Sequence, residues 1–531
     1  VGGGFGQKMM LPPEYAMVVH LCRKLQRSVA WIEDRRENLM CAGQARHESG
    51  DARIAFAADG TILAAHLDHL VDAGAYPIPW PVGTGAAAGM LFPGPYRVPA
   101  ATFALTCVFT NTVGRTAYRG PWQFESLTRE VLLDLAARDM GIDPIALRRT
   151  NLLGQDDMPY ANANGMTYDA VTPRETFEHA LEILDYEAFR TEQADARAAG
   201  RYLGVGTATY VEPTSSGTGH FASEGATIRI EPSGTVNVYV SGGSSGNSIE
   251  TTVVQLTADA LGVDIAAVHT IQGDTAVTPY GAGTAGSRSG SMTAGAVREA
   301  ATVLRDRLTR IAAHRLEAAP EDIDIAESRA FVRGTPARSV TIEELAGLAY
   351  HQAMTLPPGL EAGLEASARY TAEATAIWAN ATHVCTCEVD PVTGRVTILR
   401  YVVSEDCGPM INPNVVEGQI AGGTVQGIGG VLYEHLAYDA DGNPVTTTFL
   451  DYLLPTAVES PTIEFGHVET MAPGPGGYKG VGEGGAIGAP PALVNAIVDA
   501  LAPFGVRITE LPVGPAQIVG LVDPALAASG R

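Results

Sequence analysis

What this sequence lacks narrows its function before any motif is read. Its 531 residues hold 6 cysteines (Cys22, Cys41, Cys107, Cys385, Cys387 and Cys407), sparse for the length and without metal-finger spacing. That pattern argues against a disulfide framework and offers no array for an iron-sulfur cluster; it fits reduced thiols in a cytoplasmic setting. Basic charge is scarce too: 35 Lys and Arg against 59 Asp and Glu leave a net charge of -24, with no dense basic stripe. Nonspecific attraction to nucleic acid or to an anionic membrane is thereby disfavoured, which leaves small molecules and other proteins as partners. No apolar run reaches membrane-spanning length. An initiator Met is also missing: the chain opens VGGGFGQK, a loop shaped to lie against a ligand, with no strand ahead of it. The expectation is the C-terminal portion of a longer protein, which leaves open whether a leader peptide precedes it.

Glycine, by contrast, is abundant at 60 residues, and it is clustered between well-patterned segments. Clustered glycine means tight loops where backbone approaches something closely. The length calls for two or more domains. ARIAFAADGTILAAHLDHLV from Ala52, ATIRIEPSGTVNVYVS from Ala226 and THVCTCEVDPVTGRVTILRYVV from Thr382 each read as two extended runs about a turn, hence as hairpins. Cys385 and Cys387, two apart, fall on one face of such a strand as packing residues.

Helices are expected between the hairpins. FESLTREVLLDLAARDMGID places Phe124, Leu127, Val131 and Leu135 near one face and stops at Gly141. Others are expected in ETTVVQLTADALGV, in the long amphipathic stretch from Ser291, and in ALVNAIVDAL, where Pro490-Pro491 reads as the start. VVEGQIAGGTVQGIGGVLYEHL has helical spacing but glycine throughout, which makes sense only if its backbone packs tightly against a neighbour. The fold class expected is α+β: two large mixed lobes built from hairpins and helices, over residues 1–170 and 204–531, with 171–203 as a helical connection.

Chemistry is concentrated in short glycine-bearing loops: GGGFGQK (from Gly2), AYRGPWQFES (from Ala117), GGSSGNSIETT (from Gly242), GDTAVTPYGAGTAGSRSG (from Gly273) and YKGVGEGGAIGAPP (from Tyr478). Most adjoin an expected helix, and glycine turns and helix N-termini present N–H groups to anions, so converging loops can cradle the phosphates of a large cofactor. None is a dinucleotide fingerprint or a P-loop.

Taken in order, GGGFG, AYRG, GDT with GTAGSRS, DCGPMINPNVVEGQIAGGTVQGIGG and KGVGEGGAIGAPPALVNAI resemble the molybdenum-binding large subunit of the xanthine dehydrogenase and aldehyde oxidase family, from Val1 to about Leu511. The resemblance implies that the two lobes are molybdopterin-binding domains and that the cofactor is molybdopterin with molybdenum, as its cytosine dinucleotide in many bacterial members. The metal is then held through the pterin dithiolene, with no protein ligand. The reaction implied is insertion of water-derived oxygen at an electron-poor carbon of an aromatic N-heterocycle or an aldehyde.

By the same resemblance Glu483, in Lys479-Gly480-Val481-Gly482-Glu483, is the catalytic base, a role that suits a carboxylate on a rigid, desolvated turn. Arg119 matches the arginine beside the metal. Gly4 and Phe5 match its apical side and Ser287, Arg288 and Ser289 the loop at the cofactor's phosphate end, with Gly3, Gly6, Thr284 and Gly286 as further cofactor contacts. Gly246, Asn247, Gln419, Gln426, Lys479, Gly480 and Gly482 complete the implied cofactor contacts. Trp122 is a candidate for the substrate pocket, whereas Phe124 belongs with the helix core. Because the chain carries neither iron-sulfur nor flavin motifs, separate iron-sulfur and FAD-binding subunits are implied as partners.

Two departures matter. Many relatives have glutamine where Asn247 stands, so the contact that glutamine makes is lost here or bridged by water. Carbon monoxide dehydrogenases carry a copper-binding cysteine just after the arginine; here the run is Arg119-Gly120-Pro121-Trp122. Carbon monoxide oxidation and a noncatalytic molybdopterin-binding role stand as the alternatives.

Overall fold

The computed structural model describes residues 2–9, 11–76, 81–215, 217–374 and 376–523; Val1, where the opening loop begins, lies outside them. All three expected hairpins form. Glu48–Phe56 and Ile62–Asp72 pair antiparallel around the Asp59-Gly60 turn, and Ala101–Val108 adds in parallel to make a three-stranded sheet. Ser223–Ile230 and Val236–Val240 sit in a second sheet between Glu365–Thr371 and Val268–Ile271, covered by helices Ile249–Leu261 and Ala294–Leu316.

The third hairpin builds the sheet that matters most for function. Its strands run in the order Ile463–His467, Val396–Asp406, Trp378–Val389, Tyr202–Pro213. Trp378–Val389 and Tyr202–Pro213 are buried over nearly their whole length, because helix Pro173–Leu184 packs on the sheet as well as helix Gly484–Ala500. Cys385 and Cys387 are both fully buried in one core cluster there, as packing residues. Gly204 and Gly206 let the second helix press onto the strand: a Cβ on Gly206 would stand 2.2 Å from the Ala492 carbonyl oxygen.

Every residue of helix Gly484–Ala500 is buried. It starts at Gly484, not at Pro490-Pro491, so both prolines lie inside it, against the expectation from sequence. Packing on all sides outweighs the roughly 3 kcal/mol that a proline costs in a helix interior. The glycine-rich helix, Pro413–Leu432, lies against it backbone to backbone: a Cβ on Gly423 would meet the Ala486 nitrogen at 2.9 Å.

Helix Gln123–Met140 forms and ends at Gly141 as expected, but it is turned differently. Phe124, Leu127, Val131 and Leu135 are only partly buried, and its fully buried face carries Glu125, Arg129, Glu130 and Asp134. These charges are matched internally: Arg129 pairs with Glu125 and with Glu130 (3.3 Å), and Arg148 with Glu130 (3.1 Å) and Asp134 (3.2 Å). Buried charge of this kind persists only when paired and hydrogen-bonded.

Candidate active site

Arg119 gathers loops that are far apart in sequence. It is 5% exposed. Its Nε donates to the Gly482 carbonyl at 2.6 Å, one terminal nitrogen to Gln426 Oε1 at 2.9 Å, and the other to the Gln419 carbonyl at 2.8 Å and Gln419 Oε1 at 3.0 Å. Its backbone N–H donates to the Phe5 carbonyl at 2.8 Å, and its guanidinium lies 5.6 Å from the centre of the Phe5 ring. Only a planar fork of donors reaches so many acceptors at once. Arg46 then clamps the Arg119 loop from behind, donating to the Arg119 carbonyl at 2.7 Å.

The loop at Gly2–Lys8 has a fixed shape. Gly6 has φ +97°, and a Cβ there would stand 1.2 Å from the Ala117 carbonyl oxygen, so only glycine lets this loop lie on the arginine loop. Lys8 Nζ donates to the Gly2 and Gly3 carbonyls at 2.7 and 2.6 Å. A Cβ on Gly4 would lie 3.7 Å from Ser245 Oγ, which brings the loop around Gly246 and Asn247 alongside. Asn247 accepts from the Ser245 N–H at 3.1 Å and closes its own turn.

Glu483 caps the N-terminal end of helix Gly484–Ala500 and is half-buried. Its N–H donates to Ser287 Oγ at 2.8 Å, while its Oε2 is buried without a hydrogen-bond partner. Desolvation pushes its carboxyl up to about 7, against the pull of Arg119, the Gly120 N–H and Arg46. Burial lowers Arg119 from its usual value, with the Glu483 charge opposing that shift.

The Ser287 loop meets the Glu483 loop so closely that a Cβ on Gly480 would fall 1.9 Å from the Ser287 carbonyl oxygen. Thr284 and Ser289 hydroxyls lie 3.1 Å apart, and Ser289–Thr293 forms a π turn leading into helix Ala294–Leu316. Arg288 and Lys479 face inward. Arg288 is ion-paired with Glu224, and Lys479 with Asp406 at 2.8 Å, so these side chains brace the loops from inside. Trp122 is half-buried between two core clusters, and its indole N–H is buried and unpaired. Phe124 stacks on His69 at 4.4 Å, within the core packing expected of it.

The structure thus brings together Gly4, Phe5, Gly6, Arg119, Gln419, Gln426, Gly480, Gly482, Glu483 and Ser287. Sequence reasoning missed Glu212, a fully buried acid that accepts the Ser287 hydroxyl, and Arg46. The signal for Glu212 was a lone acid ending the otherwise uncharged run YLGVGTATYVEP.

Several features fit a large anionic cofactor. Gly246 and Gly286 have φ of +100° and +53°, and a Cβ on either would meet nothing within 4 Å, so the side of the backbone a Cβ would occupy is open there, while the Gly246 N–H itself donates to Ser244 Oγ at 3.4 Å. The Trp122 N–H is a donor left without a protein partner, whereas the unpartnered Glu483 Oε2 is an acceptor suited to a proton donor and not to an anion.

Glycine-bearing loops from distant parts of the chain thus interlock around Arg119 and a desolvated glutamate. Two stretches match the molybdopterin cofactor-binding domain, residues 1–152 and 179–461. The chain belongs to that family, among molybdenum-binding large subunits of the xanthine dehydrogenase type. It is 38% identical to the nicotine 6-hydroxylase large subunit of Paenarthrobacter nicotinovorans over 98% of this chain and 66% of that protein. It is 33% identical to the carbon monoxide dehydrogenase large chain of Hydrogenophaga pseudoflava, over 96% of this chain and 65% of that one. The crystal structure of quinoline 2-oxidoreductase from Pseudomonas putida 86 superposes with a TM-score of 0.93 at 40% identity, covering 98% of this chain and 68% of that one. The chain therefore spans about two-thirds of the length of the relatives it matches.

Proposed function

We propose that this chain is the catalytic, molybdenum cofactor-binding part of a hydroxylase that acts on an aromatic N-heterocycle or an aldehyde. The observation that carries the reading is Glu483: a carboxyl with one unpaired oxygen, raised to about 7 and set beside the multiply anchored Arg119. The names of the nicotine and quinoline relatives favour the heterocycle. The carbon monoxide alternative is disfavoured because Arg119-Gly120-Pro121-Trp122 places no thiol after the arginine.

When bound, molybdopterin supplies a two-electron acceptor and a site for oxygen transfer from water to an electron-poor carbon. Glu483 Oε2 takes the proton released in that transfer, a step suited to a base whose affinity for protons is near neutrality. Arg119 offers fixed positive charge to negative charge developing beside Glu483. Gln419 and Gln426 hold Arg119 in place from the glycine-rich helix. Backbone N–H groups around Gly246 and Gly286 cradle the phosphate end, the cytosine dinucleotide form being our expectation there. Trp122 stays a candidate for the wall of the substrate pocket through its ring, its indole N–H being buried between two core clusters.

On this reading the lobes are residues 1–170 and 204–531 joined through 171–203, and electrons leave to iron-sulfur and FAD-binding partner subunits in the cytoplasm. No described helix is long and apolar enough to cross a membrane. The deciding experiment is mass spectrometry of molybdenum and released pterin nucleotide on the subunit purified from its host with its bound partners. Stoichiometric molybdenum with turnover of a heterocycle supports the reading; a folded complex with neither metal nor pterin overturns it.

A further inference from the structure

Beneath Glu483 lies a row of acids that the proposed chemistry does not use. Tyr210 and Glu212 lie two apart on strand Tyr202–Pro213 and so share a face. Ala381 pairs with both Tyr210 and Glu405, which brings Glu405 to the same face one strand further across. All three side chains are fully buried. Tyr210 donates its hydroxyl to Glu405 at 3.2 Å. Glu212 accepts the Ser287 hydroxyl through Oε1, and its Oε2 is buried with no hydrogen-bond partner. Ser287 in turn accepts the Glu483 N–H at 2.8 Å and holds φ +56°, a backbone conformation that serine rarely adopts. One hydroxyl therefore ties Glu212 to the backbone of Glu483.

Resting on the reading of Glu483 as the base, we propose that Glu212 is its positioning residue: a neutral carboxylic acid that fixes Glu483 through Ser287, so that the pair carries one negative charge and carries it on Glu483.

The surroundings of the two carboxyls are unequal. Glu483 faces Arg119, Arg46 and the Gly120 N–H, all of which favour its charge. Glu212 faces Glu483 and Glu405, both acids, with Ser287 and then Arg119 as its favourable neighbours. Beyond Glu405 the Lys479 ammonium is committed to Asp406 at 2.8 Å. Two guanidiniums, Arg119 and Arg46, favour the Glu483 charge and only Arg119 reaches Glu212, so the proton stays where fewer donors point. Burial and the Glu483 charge both push Glu212 well above the ordinary carboxylate range, in the same direction as the geometry.

The test compares Glu212→Gln and Glu212→Ala in the complete complex, with molybdenum content measured for each. Gln is a neutral isostere that still accepts the Ser287 hydroxyl. Ala is expected to lower kcat about tenfold with KM little changed and to move the midpoint of the pH profile, and Gln is expected to rescue most of that loss with the midpoint within about 0.3 of wild type. If Glu212→Ala does not fold, Ser287→Ala removes the same bridge with little change of volume. A midpoint lowered by about one unit or more in Glu212→Gln would mean that a negative charge had been removed, which overturns the assignment. A bridge variant with wild-type kcat and midpoint would overturn it as well.

Infrared spectroscopy gives a readout independent of turnover. The wild-type minus Glu212→Gln difference is expected to show one protonated carboxyl C=O band at about pH 8, and its absence overturns the neutral acid. Wild-type complex loaded with molybdenum but inert toward every substrate would sink the hydroxylase reading while leaving the infrared test of Glu212 intact.

Discussion

The protein buries carboxylates in two places and treats them in opposite ways. Under helix Gln123–Met140, Glu125, Glu130 and Asp134 face Arg129, Arg148 and Arg138, so each acid has a guanidinium partner. At the opposing site Glu483, Glu212 and Glu405 share Arg119 as the guanidinium that bears on the first two, and each of the three acids keeps one oxygen without a partner. Matched burial makes a strut, whose worth is that removing either partner strands a charge. Raised proton affinity does not by itself separate the regions, since burial lifts Glu125 to about 8 even beside Arg129; what sets Glu483, Glu212 and Glu405 apart is that each keeps an oxygen without a protein partner.

The largest separation of the two regions comes from Glu483→Gln. We expect kcat to fall about 10²–10⁴-fold with molybdenum content retained, since the base is lost while the turn keeps its backbone bonds; steady-state kinetics per bound metal check this. Stability should move the other way. Glu483 in the fold is raised from 4.5 to about 7, so the folded state favours the protonated form, and ionisation costs the wild type stability as pH rises through that interval. The glutamine variant should therefore unfold at higher denaturant than wild type above about pH 7 and show no such advantage below about 4.5. Wild-type turnover would fall as pH drops through about 7, where the base takes up its proton.

Arg148→Met is the converse. It leaves Glu130 and Asp134 short of a partner in the interior, and we expect a loss of roughly 3–5 kcal/mol in denaturant unfolding. The molecules that remain folded should keep near-native kcat per molybdenum. A kcat that collapsed along with stability would show that the strut and the site are one unit, and the comparison would fail. Arg119→Lys comes next: a point charge cannot reach Gly482, Gln426 and Gln419 together, and kcat/KM should drop about 10²-fold.

The same contrast explains how much could be read in advance. The three hairpins, the glycine helix and the stop at Gly141 follow from local pattern, and the structure has them all. The rotation of helix Gln123–Met140 did not, because its partnered face looks polar in sequence; its arginine partner Arg148 lies on a different helix. The start of helix Gly484–Ala500 was hidden for a related reason: burial on every side tolerates prolines that local rules place at a helix start. At the site, Arg119, Phe5, Gln419, Gln426, Gly482 and Glu483 were singled out through the family resemblance and not by local pattern; the structure puts Phe5, Gln419, Gln426 and Gly482 in contact with Arg119. Glu212 was not: a lone acid ending an uncharged strand marks the position but does not show that Ser287 will reach it.

Asn247 gives the finest test of where the matched region ends and the reactive one begins. Its side-chain oxygen is committed to the Ser245 N–H at 3.1 Å and so serves its own turn, in the manner of the strut. Gly246 beside it is open on the side a Cβ would occupy, in the manner of the site. Asn247→Gln should cost the turn bond, about 1 kcal/mol, and on the cofactor-binding reading gain a contact of similar size. Near-cancellation is the expected outcome, with cofactor retention after dilution changed by less than about fivefold. A loss of about tenfold or more would mean that the asparagine turn itself shapes the cradle, and the loop would belong with the paired, rigid part of the molecule. Tighter retention by a similar factor would place it with the reactive part, as a contact weakened here by one methylene.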